Sequence, residues 1–281
     1  MEFTSAEGER KYAALVRAAP ATIVGLDFDG TLAPIVEDPA EAHIHPEAAE
    51  VLVALSQQVL AVAVVTGRPA RQALDLGGLE EVGNAIGEAG KELYLFGQYG
   101  LERWSSTNRR VISPRPPPGL ASFTADLPRV LRRADAADAH IEEKGLAVAV
   151  HTRRVADPDA TFEALLPVLE KQAARYDLVV EPGKQVIEVR SPGMTKGVVV
   201  NGLTEELEAG GFVFIGDDLG DVEAFDAVAG LAARGLPTLL VCSASDEESA
   251  LVSRSDVLVH GPDGVLTLLR QLTSDAAELR A

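Results

Sequence analysis

Cysteine is almost absent from this sequence, which contains a single one, Cys242, among 281 residues. A disulfide within the chain is therefore excluded, and a lone cysteine in the apolar segment 238–242 is typical of a small buried side chain. Long apolar runs are missing as well. The longest uncharged stretch, 51–67, is interrupted by polar residues at 56–58, which indicates a helix, a turn and a strand instead of a membrane span. The polar first residues lack the apolar segment of a signal peptide, so we expect a soluble, cytoplasmic protein.

Positive charge is also scarce. The chain has 25 Lys and Arg against 43 Asp and Glu, and its net charge at neutral pH is −18. A field of that sign opposes nonspecific binding to nucleic acid and to anionic membranes. The arginine pairs at 109–110, 132–133 and 153–154 are dispersed without aromatic residues between them, which is typical of solvated surfaces. We therefore expect no nucleic-acid and no membrane partner, and a phosphate site would have to be made locally positive by Lys, Arg or a metal ion.

Apolar residues, by contrast, make up 47% of the chain, which is enough for a packed core. The length fits one large domain or two of ordinary size. Continuous apolar runs of strand length occur at 21–26, 59–65 and 212–215, and segments with helical spacing of apolar residues lie between such runs. Runs of this kind are typical of strands buried on both faces of a parallel sheet. The pattern predicts an α/β fold with a mostly parallel sheet.

The first apolar run ends at Asp27-Phe28-Asp29-Gly30-Thr31. A strand that ends in two carboxylates places them at the carboxyl edge of a sheet, where open α/β folds bind ligands. Three interpretations are open. The acids could form an Asx-type turn, or they could begin a calcium loop, although the fifth, sixth and twelfth positions do not fit that pattern. In the third, Asp27 is a nucleophile and Asp29 an acid/base beside a metal ion.

Polar residues at the ends of later elements could complete such a site. Thr66 follows the second apolar run, where a hydroxyl either caps the next helix or binds an anion. Lys196 opens a predicted helix, and Asp217 and Asp218 follow the third run. Acids from two well-separated segments fit one octahedral magnesium site filled partly by water. The alternative is two independent polar loops.

The pattern changes in the middle of the chain. The proline-rich segment 113–119 indicates a stiff linker at a domain boundary, although it also resembles a ligand for a proline-binding module. After it we predict a helix near 120–133, two strands turning at Lys144-Gly145, a helix and two strands turning at 182–184, an order typical of a compact two-layer module. We therefore predict a core formed by residues 1–111 and 192–281, interrupted by an inserted α+β domain at 112–191.

In their order and spacing these motifs resemble those of the haloacid dehalogenase superfamily of phosphatases. The matching positions are 27–31 for the first motif, Thr66 for the second, Lys196 for the third, and 216–218 with Asp221 for the fourth. Finer features are similar to trehalose-6-phosphate phosphatases in particular, namely the segments 64–68, 97–102, 142–145, 147–151, 183–190 and 196–197. Tyr99, Met194-Thr195 and Gly220 depart from the residues common in that family, and these departures concern the identity of the substrate.

The resemblance implies a Rossmann-like catalytic core with a type 2 cap that determines substrate specificity. It implies magnesium-dependent hydrolysis of trehalose 6-phosphate through an aspartyl-phosphate, as the last step of trehalose biosynthesis. In the implied mechanism Asp27 is the nucleophile and Asp29 the general acid and base, while Thr66 and Lys196 hold the phosphoryl oxygens. The implied metal ligands are Asp27, the Asp29 carbonyl and Asp217, with Asp218 or Asp221 acting directly or through water. The implied substrate ligands are Glu142, Lys144 and Glu188, followed by the weaker candidates Arg68, Gln98 and Arg190.

Other functions fit parts of the pattern. A near alternative is a phosphatase of another sugar phosphate, of the sucrose-phosphate or mannosylglycerate-phosphate type. A signalling receiver that accepts phosphate on an aspartate also uses a nearby Thr and Lys, but Asp29 and the long insertion argue against it. An inert metal-binding scaffold is the third alternative. For partners, the resemblance implies a small sugar phosphate and allows a functional pairing with a trehalose-phosphate synthase.

Overall fold

The computed structural model describes residues 1–36, 38–183, 185–244 and 251–280. The chain divides into two compact units. Met1–Ser113 and Thr195–Ala281 form the first, here called the core unit, and Pro114–Met194 form the second, the cap unit. No helix among the described residues combines the length and the apolar character that crossing a bilayer requires.

The helices and strands follow one another in a mostly alternating order. The strands are β1 (Glu2–Phe3), β2 (Thr22–Leu26), β3 (Ala61–Val65), β4 (Leu93–Gly97), β5 (Glu102–Ser105), β6 (His140–Glu143), β7 (Ala147–His151), β8 (Val179–Gly183), β9 (Val186–Arg190), β10 (Gly211–Gly216), β11 (Thr238–Ala244) and β12 (Val257–His260). The α-helices are α1 (Ala6–Ala18), α2 (Ala48–Ser56), α3 (Ala70–Gly77), α4 (Leu79–Glu88), α5 (Leu120–Arg133), α6 (Pro158–Ala173), α7 (Lys196–Glu206), α8 (Val222–Ala233) and α9 (Gly261–Glu278).

The core unit is built on an eight-stranded sheet with the order β1-β12-β11-β10-β2-β3-β4-β5. The six inner strands are parallel, and the short edge strands β1 and β5 are antiparallel to their neighbours. The strand order runs outward in opposite directions from β2. This is the topological switch point, and open α/β sheets bind their ligands there, beyond the carboxyl ends of the strands. The predicted mostly parallel α/β fold is confirmed.

Strand β2 is buried on both faces, as its uninterrupted apolar sequence predicts. Val24 and Leu26 pack into a hydrophobic cluster with α1, α2 and α9, and Ile23 packs on the opposite face with α7 and α8. Alternate residues of a strand point to opposite faces, so a strand covered by helices on both sides needs apolar residues at every position. Each fully buried Ile, Leu or Val contributes about 1.5–3 kcal/mol to this core.

The cap unit has a four-stranded antiparallel sheet with the order β6-β7-β9-β8. Its own hydrophobic cluster joins α5 and α6 to one face of that sheet, on which Val148, Val150, Ile187 and Val189 lie. The predicted helix at 120–133 coincides with α5. The predicted turn at 182–184 is wrong in part. Pro182 and Gly183 belong to β8 and pair with Ile187 and Val186 of β9. Lys184 lies outside the described residues.

Candidate active site

The acids of the first motif lie just beyond the end of β2. Asp27 still donates its backbone N–H to the carbonyl of Ile215 at 2.9 Å, so the acid begins where β2 and β10 stop pairing. Gly30 then turns the chain with a φ of +66°. A Cβ atom on Gly30 would lie 2.1 Å from an oxygen of Asp217. Glycine is required here, because both the left-handed backbone and the neighbouring carboxylate exclude a side chain.

Lys196, at the start of α7, joins acids from both parts of the core sequence. Its Nζ donates to Oδ1 of Asp27 at 2.6 Å and to Oδ1 of Asp221 at 2.7 Å. The side chains of Lys196, Asp27 and Asp221 are 3%, 7% and 0% exposed, so the whole group is shielded from water. The other oxygen of Asp221 accepts from the backbone N–H of Asp217 at 3.0 Å.

Three carboxylates meet at this point. One oxygen each of Asp27, Asp217 and Asp221 lies within 4.8 Å of the others. Burial raises the pKa of Asp27 well above its ordinary value, against the opposing effect of Lys196. Burial and the Asp27 charge raise the pKa of Asp217 to about 10. Burial lowers the pKa of Lys196, but Asp221 and Asp27 outweigh it and raise that pKa well above its ordinary value.

The donor set suits a hard divalent cation. All three donors are carboxylate oxygens, which Mg²⁺ and Ca²⁺ prefer over nitrogen and sulfur. They come from the carboxyl ends of the adjacent parallel strands β2 and β10. Their mutual repulsion has to be offset by a cation or by shared protons, since one ammonium group does not balance three carboxylates. These residues could therefore hold a metal ion.

Asp29 is held by Arg68. The Nε and Nη2 atoms of Arg68 donate to the two carboxylate oxygens of Asp29, each at 2.7 Å. A third donor, Nη1, reaches the carbonyl of Pro39 at 2.8 Å, and the guanidinium carbon lies 5.5 Å from the ring centroid of Phe28. The side chain of Arg68 is 10% exposed and that of Asp29 is 39% exposed. This bidentate pair fixes the orientation of the carboxylate that sequence reasoning singled out as the acid/base.

Thr66 and Gln98 lie in two turns that share hydrogen bonds with Arg68. The Thr66 hydroxyl accepts from the backbone N–H of Arg68 at 3.1 Å, which leaves its own proton available for donation. Gln98 follows β4 with a φ of +46° and donates its backbone N–H to the Arg68 carbonyl at 2.8 Å. Thr66 and Gln98 are each 1% exposed. The structure thus brings Thr66, Arg68 and Gln98 together at the ends of β3 and β4.

Asp218 is a neighbour of the three clustered carboxylates but is not one of them. It is exposed, and its Oδ1 accepts from the backbone N–H of Gly220 at 2.8 Å, which caps the short turn before α8. A role for Asp218 in holding metal-bound water, and for the Asp29 carbonyl as a ligand, stays a prediction.

In the cap unit, the predicted sugar ligands lie in one row across three strands. Glu142 on β6 is paired with Ala149 on β7, which is paired with Glu188 on β9. Directly paired residues point to the same face of a sheet, and this is the face opposite the helices. Lys144 Nζ donates to Oε2 of Glu188 at 2.6 Å, and Oε1 of Glu188 is buried without a hydrogen-bond partner among the described residues. The row therefore carries closely spaced acids and an ammonium group.

Two further cap contacts bear on this row. Nε2 of His151 lies 2.9 Å from Oε2 of Glu142, and this hydrogen bond lowers the pKa of Glu142. Arg190 is 2% exposed and donates to Glu181 at 2.8 Å and to the Met194 carbonyl at 2.6 Å. The Arg190 guanidinium is thus engaged within the cap unit.

Sequence reasoning missed several contacts that shape the site. It proposed Arg68 as a sugar ligand and not as the partner of Asp29. It also passed over Ser243, which is buried in β11 and donates its hydroxyl to the Gly30 carbonyl at 2.6 Å. Glu102 accepts from the Ala70 N–H at 2.7 Å, so it caps α3 from β5. The only available signal for Ser243 was its position near the end of an apolar run.

Comparison with known proteins identifies relatives over most of the chain. A model of the trehalose-phosphatase family matches residues 25–257. An uncharacterized glycosyl hydrolase of Mycobacterium tuberculosis is 37% identical over 216 residues, which cover 73% of this chain and 15% of that protein. A trehalose-phosphate phosphatase of Mycobacterium avium is 32% identical over 227 residues, which cover 77% of this chain and 54% of that protein. The chain thus spans about half the length of the second relative and far less of the first.

Among solved structures, the C-terminal domain of a trehalose-6-phosphate phosphatase from C. albicans has a TM-score of 0.74 with this chain at 22% identity, covering 97% of this chain and 98% of that one. At that identity the likeness shows a shared fold. A haloacid dehalogenase-like hydrolase from Bacteroides thetaiotaomicron has a TM-score of 0.59 at 15% identity, covering 89% of this chain and 99% of that one, which confirms the predicted fold. The family match, which extends over most of the sequence, confirms the predicted resemblance, and the chain belongs to the trehalose-phosphatase family.

Proposed function

We propose that this chain is a magnesium-dependent phosphatase that hydrolyses trehalose 6-phosphate to trehalose and phosphate. One observation carries the proposal: Asp27, Asp217 and Asp221 converge around Lys196 at the switch point of the core sheet in a chain of the trehalose-phosphatase family. An acid cluster with one ammonium group matches the needs of phosphoryl transfer, in which the catalyst positions the phosphate and neutralises its charge. The name of the M. avium relative supports trehalose 6-phosphate as the substrate.

In the first step, a carboxylate oxygen of Asp27 attacks phosphorus in line with the sugar oxygen. The new bond joins Asp27 to phosphorus, and the bond between phosphorus and the sugar oxygen breaks. Asp29 gives its proton to that departing oxygen, so trehalose leaves as a neutral alcohol. The covalent route divides one difficult displacement into two easier ones.

In the second step, water attacks the phosphorus of the aspartyl-phosphate. Asp29 takes a proton from the water, the bond between phosphorus and Asp27 breaks, and phosphate leaves with the enzyme restored. Both roles require at least one free oxygen on Asp29, whereas Arg68 engages both of them in the structure. We therefore propose that substrate binding displaces one of the two bonds from Arg68.

The residues that would hold Mg²⁺ are Asp27, the Asp29 carbonyl, Asp217, and Asp221 or Asp218 directly or through water. When bound, the ion neutralises negative charge on the phosphoryl oxygens and orients the phosphate. Lys196 and the Thr66 hydroxyl hold the remaining phosphoryl oxygens. The loss of one such preorganised donor typically raises the barrier by about 2.7–4 kcal/mol.

The cap residues bind the sugar. Carboxylates and an ammonium group can bridge neighbouring hydroxyls, and the row formed by Glu142, Glu188 and Lys144 supplies both on one sheet face. Arg68, Gln98 and Arg190 are weaker candidates. The cytoplasmic location and the pairing with a trehalose-phosphate synthase that would supply the substrate stay predictions.

Phosphate release from a panel of sugar phosphates, with and without magnesium, tests the reaction. We expect multiple turnovers with trehalose 6-phosphate, little release from sucrose phosphate or mannosylglycerate phosphate, and loss of activity after chelation that added Mg²⁺ restores. A single lasting phosphorylation per chain would instead favour the receiver interpretation. Asp27→Asn should abolish turnover, and an unchanged rate in this variant would refute the nucleophile assignment.

Lys144→Ala tests the role of the cap. The variant should lose turnover of trehalose 6-phosphate and keep turnover of a small aryl phosphate, because only the disaccharide requires the cap contacts. Lys171→Ala, in α6, is the matched control and should retain both activities. Equal loss on the two substrates would contradict the sugar-binding role of Lys144.

A further inference from the structure

A small cavity at the surface of the core unit is lined by three exposed arginines. Its volume is about 290 Å³, and Arg71, Arg109 and Arg110 line it together with Glu80. Arg71 belongs to α3, Glu80 to α4, and the other two follow β5. None of the residues assigned to the catalytic site lines this cavity. Ligand sites typically have volumes of about 300–1,000 Å³, so an occupant would be small.

The charges around this cavity are unbalanced. Glu80 is the one acid among the lining residues, and its side chain and those of the three arginines are exposed to solvent. Among the described residues, no carboxylate forms an ion pair with these arginines. The Arg109 guanidinium donates instead to the side-chain oxygen of Asn84, which holds it against α4. Three guanidinium groups and one carboxylate leave an excess of two positive charges, in a chain whose net charge is −18.

Trp104 of β5 also lines the cavity and carries an unpaired donor. Its side chain is 2% exposed, and its indole Nε1 has no hydrogen-bond partner among the described residues. A buried N–H group without an acceptor is unfavourable, and buried donors are satisfied in most proteins. Its ring packs closely on α4, since a Cβ atom on Gly83 would lie 3.0 Å from it.

We propose that this cavity binds a small phosphate-bearing anion at a site separate from the catalytic one. A phosphate monoester carries close to two negative charges at neutral pH, which matches the excess charge of the lining. Guanidinium groups match phosphate oxygens in geometry, and several arginines together suit an anion with several oxygens. The arginine pair at 109–110, expected from the sequence to be a solvated surface, thus acquires a binding role.

Trp104 is the single tryptophan of the chain, so intrinsic tryptophan fluorescence reports on this cavity. We would titrate the full chain, in magnesium-free buffer at ionic strength held constant with chloride, with inorganic phosphate, pyrophosphate and a hexose phosphate, and follow fluorescence and calorimetric heat. We expect saturable binding of at least one of these anions. Binding of the hexose phosphate alone would identify an ester as the ligand, and binding of inorganic phosphate would identify the free ion. The absence of saturable heat and fluorescence change with all three would overturn the proposal.

Variants separate this site from the catalytic one. Arg71→Gln and Arg110→Gln should each weaken binding about tenfold, the loss of roughly one charge-assisted hydrogen bond. Glu80→Gln should strengthen binding, because it removes the opposing charge. Arg17→Gln, an exposed arginine of α1, is the control and should bind like the unmodified chain. All four variants should keep the basal phosphatase rate. Equal affinity in Arg110→Gln and Arg17→Gln would assign the binding to another site and refute the proposal.

Discussion

Lys196→Met tests the central interaction of the site. The substitution removes the charge but keeps most of the side-chain volume. In the structure the ammonium group lies 2.6 Å from Asp27 and 2.7 Å from Asp221, and all three side chains are at most 7% exposed. The variant would leave two buried carboxylates facing an apolar chain. The removal of one partner from a buried ion pair costs about 3–5 kcal/mol, which is the expected loss in the free energy of unfolding.

A double-mutant cycle with Asp221→Asn measures how much of this loss comes from the interaction between Lys196 and Asp221. Asp221→Asn removes one of the two carboxylates, so Lys196→Met should cost less in that background than in the unmodified chain. The sum of the two single effects on the free energy of unfolding should therefore exceed the effect of the double variant by about 1–3 kcal/mol. Turnover of trehalose 6-phosphate by Lys196→Met should fall about 10²–10³-fold, the usual effect of losing one preorganised donor.

The measurements are urea unfolding at pH 7 in the presence of a chelator, and phosphate release at saturating substrate. Lys91→Met is the matched control, because Lys91 donates to the carbonyl of Val59 at 2.7 Å and has no carboxylate partner among the described residues. A Lys196→Met variant that loses no more stability than Lys91→Met would refute the assignment of a buried ion pair. Additive effects of Lys196→Met and Asp221→Asn on the free energy of unfolding would refute it as well.

Three further predictions concern single positions. Gly30→Ala should abolish metal binding measured by calorimetry, since its Cβ would displace the Asp217 carboxylate, and strained backbone should add about 1–2 kcal/mol of destabilisation. Arg68→Lys should lower the turnover number about 10–100-fold, because an ammonium group cannot hold both oxygens of Asp29; full activity would contradict a positioning role. The hydrogen bond from His151 lowers the pKa of Glu142 from 4.5, so its contribution to stability is fully present above 4.5 and is lost as the pH falls through the lowered pKa of the folded chain. The difference in unfolding free energy between the unmodified chain and Glu142→Gln should therefore be larger at pH 7 than at pH 3.5.

The strands that carry the site were predictable because they are buried on both faces. The runs at 59–65 and 212–215 correspond to β3 and β10, and the acids and hydroxyl that follow them lie at the same sheet edge. Helix α1 was missed. Its amphipathic pattern lies within a segment that looked merely polar, and its apolar face becomes evident only from packing against β11 and α9.

Contacts between residues that are distant in the sequence could not be predicted from the sequence. Asp29 and Arg68 meet because β2 and β3 are adjacent in the sheet, and no local pattern distinguishes that contact from a sugar-binding role. The turn expected at Pro182 and Gly183 failed for a similar reason. Both residues favour turns locally, but β8 is an edge strand, where a proline costs no ladder hydrogen bond.

The position of β2 between β3 and β10 has a consequence for biosynthesis. The 185 positions that separate Leu26 from Gly211 take roughly 10–40 seconds to translate at about 5–20 residues per second. During that interval the central strand of the future sheet has one unpaired apolar edge, a known template for aggregation. The cap unit emerges in the same interval and can bury its own cluster of side chains on α5 and α6. Nascent chains stalled before β10 should therefore carry a folded cap unit and an exposed edge of β2. We expect chaperones to bind these stalled chains.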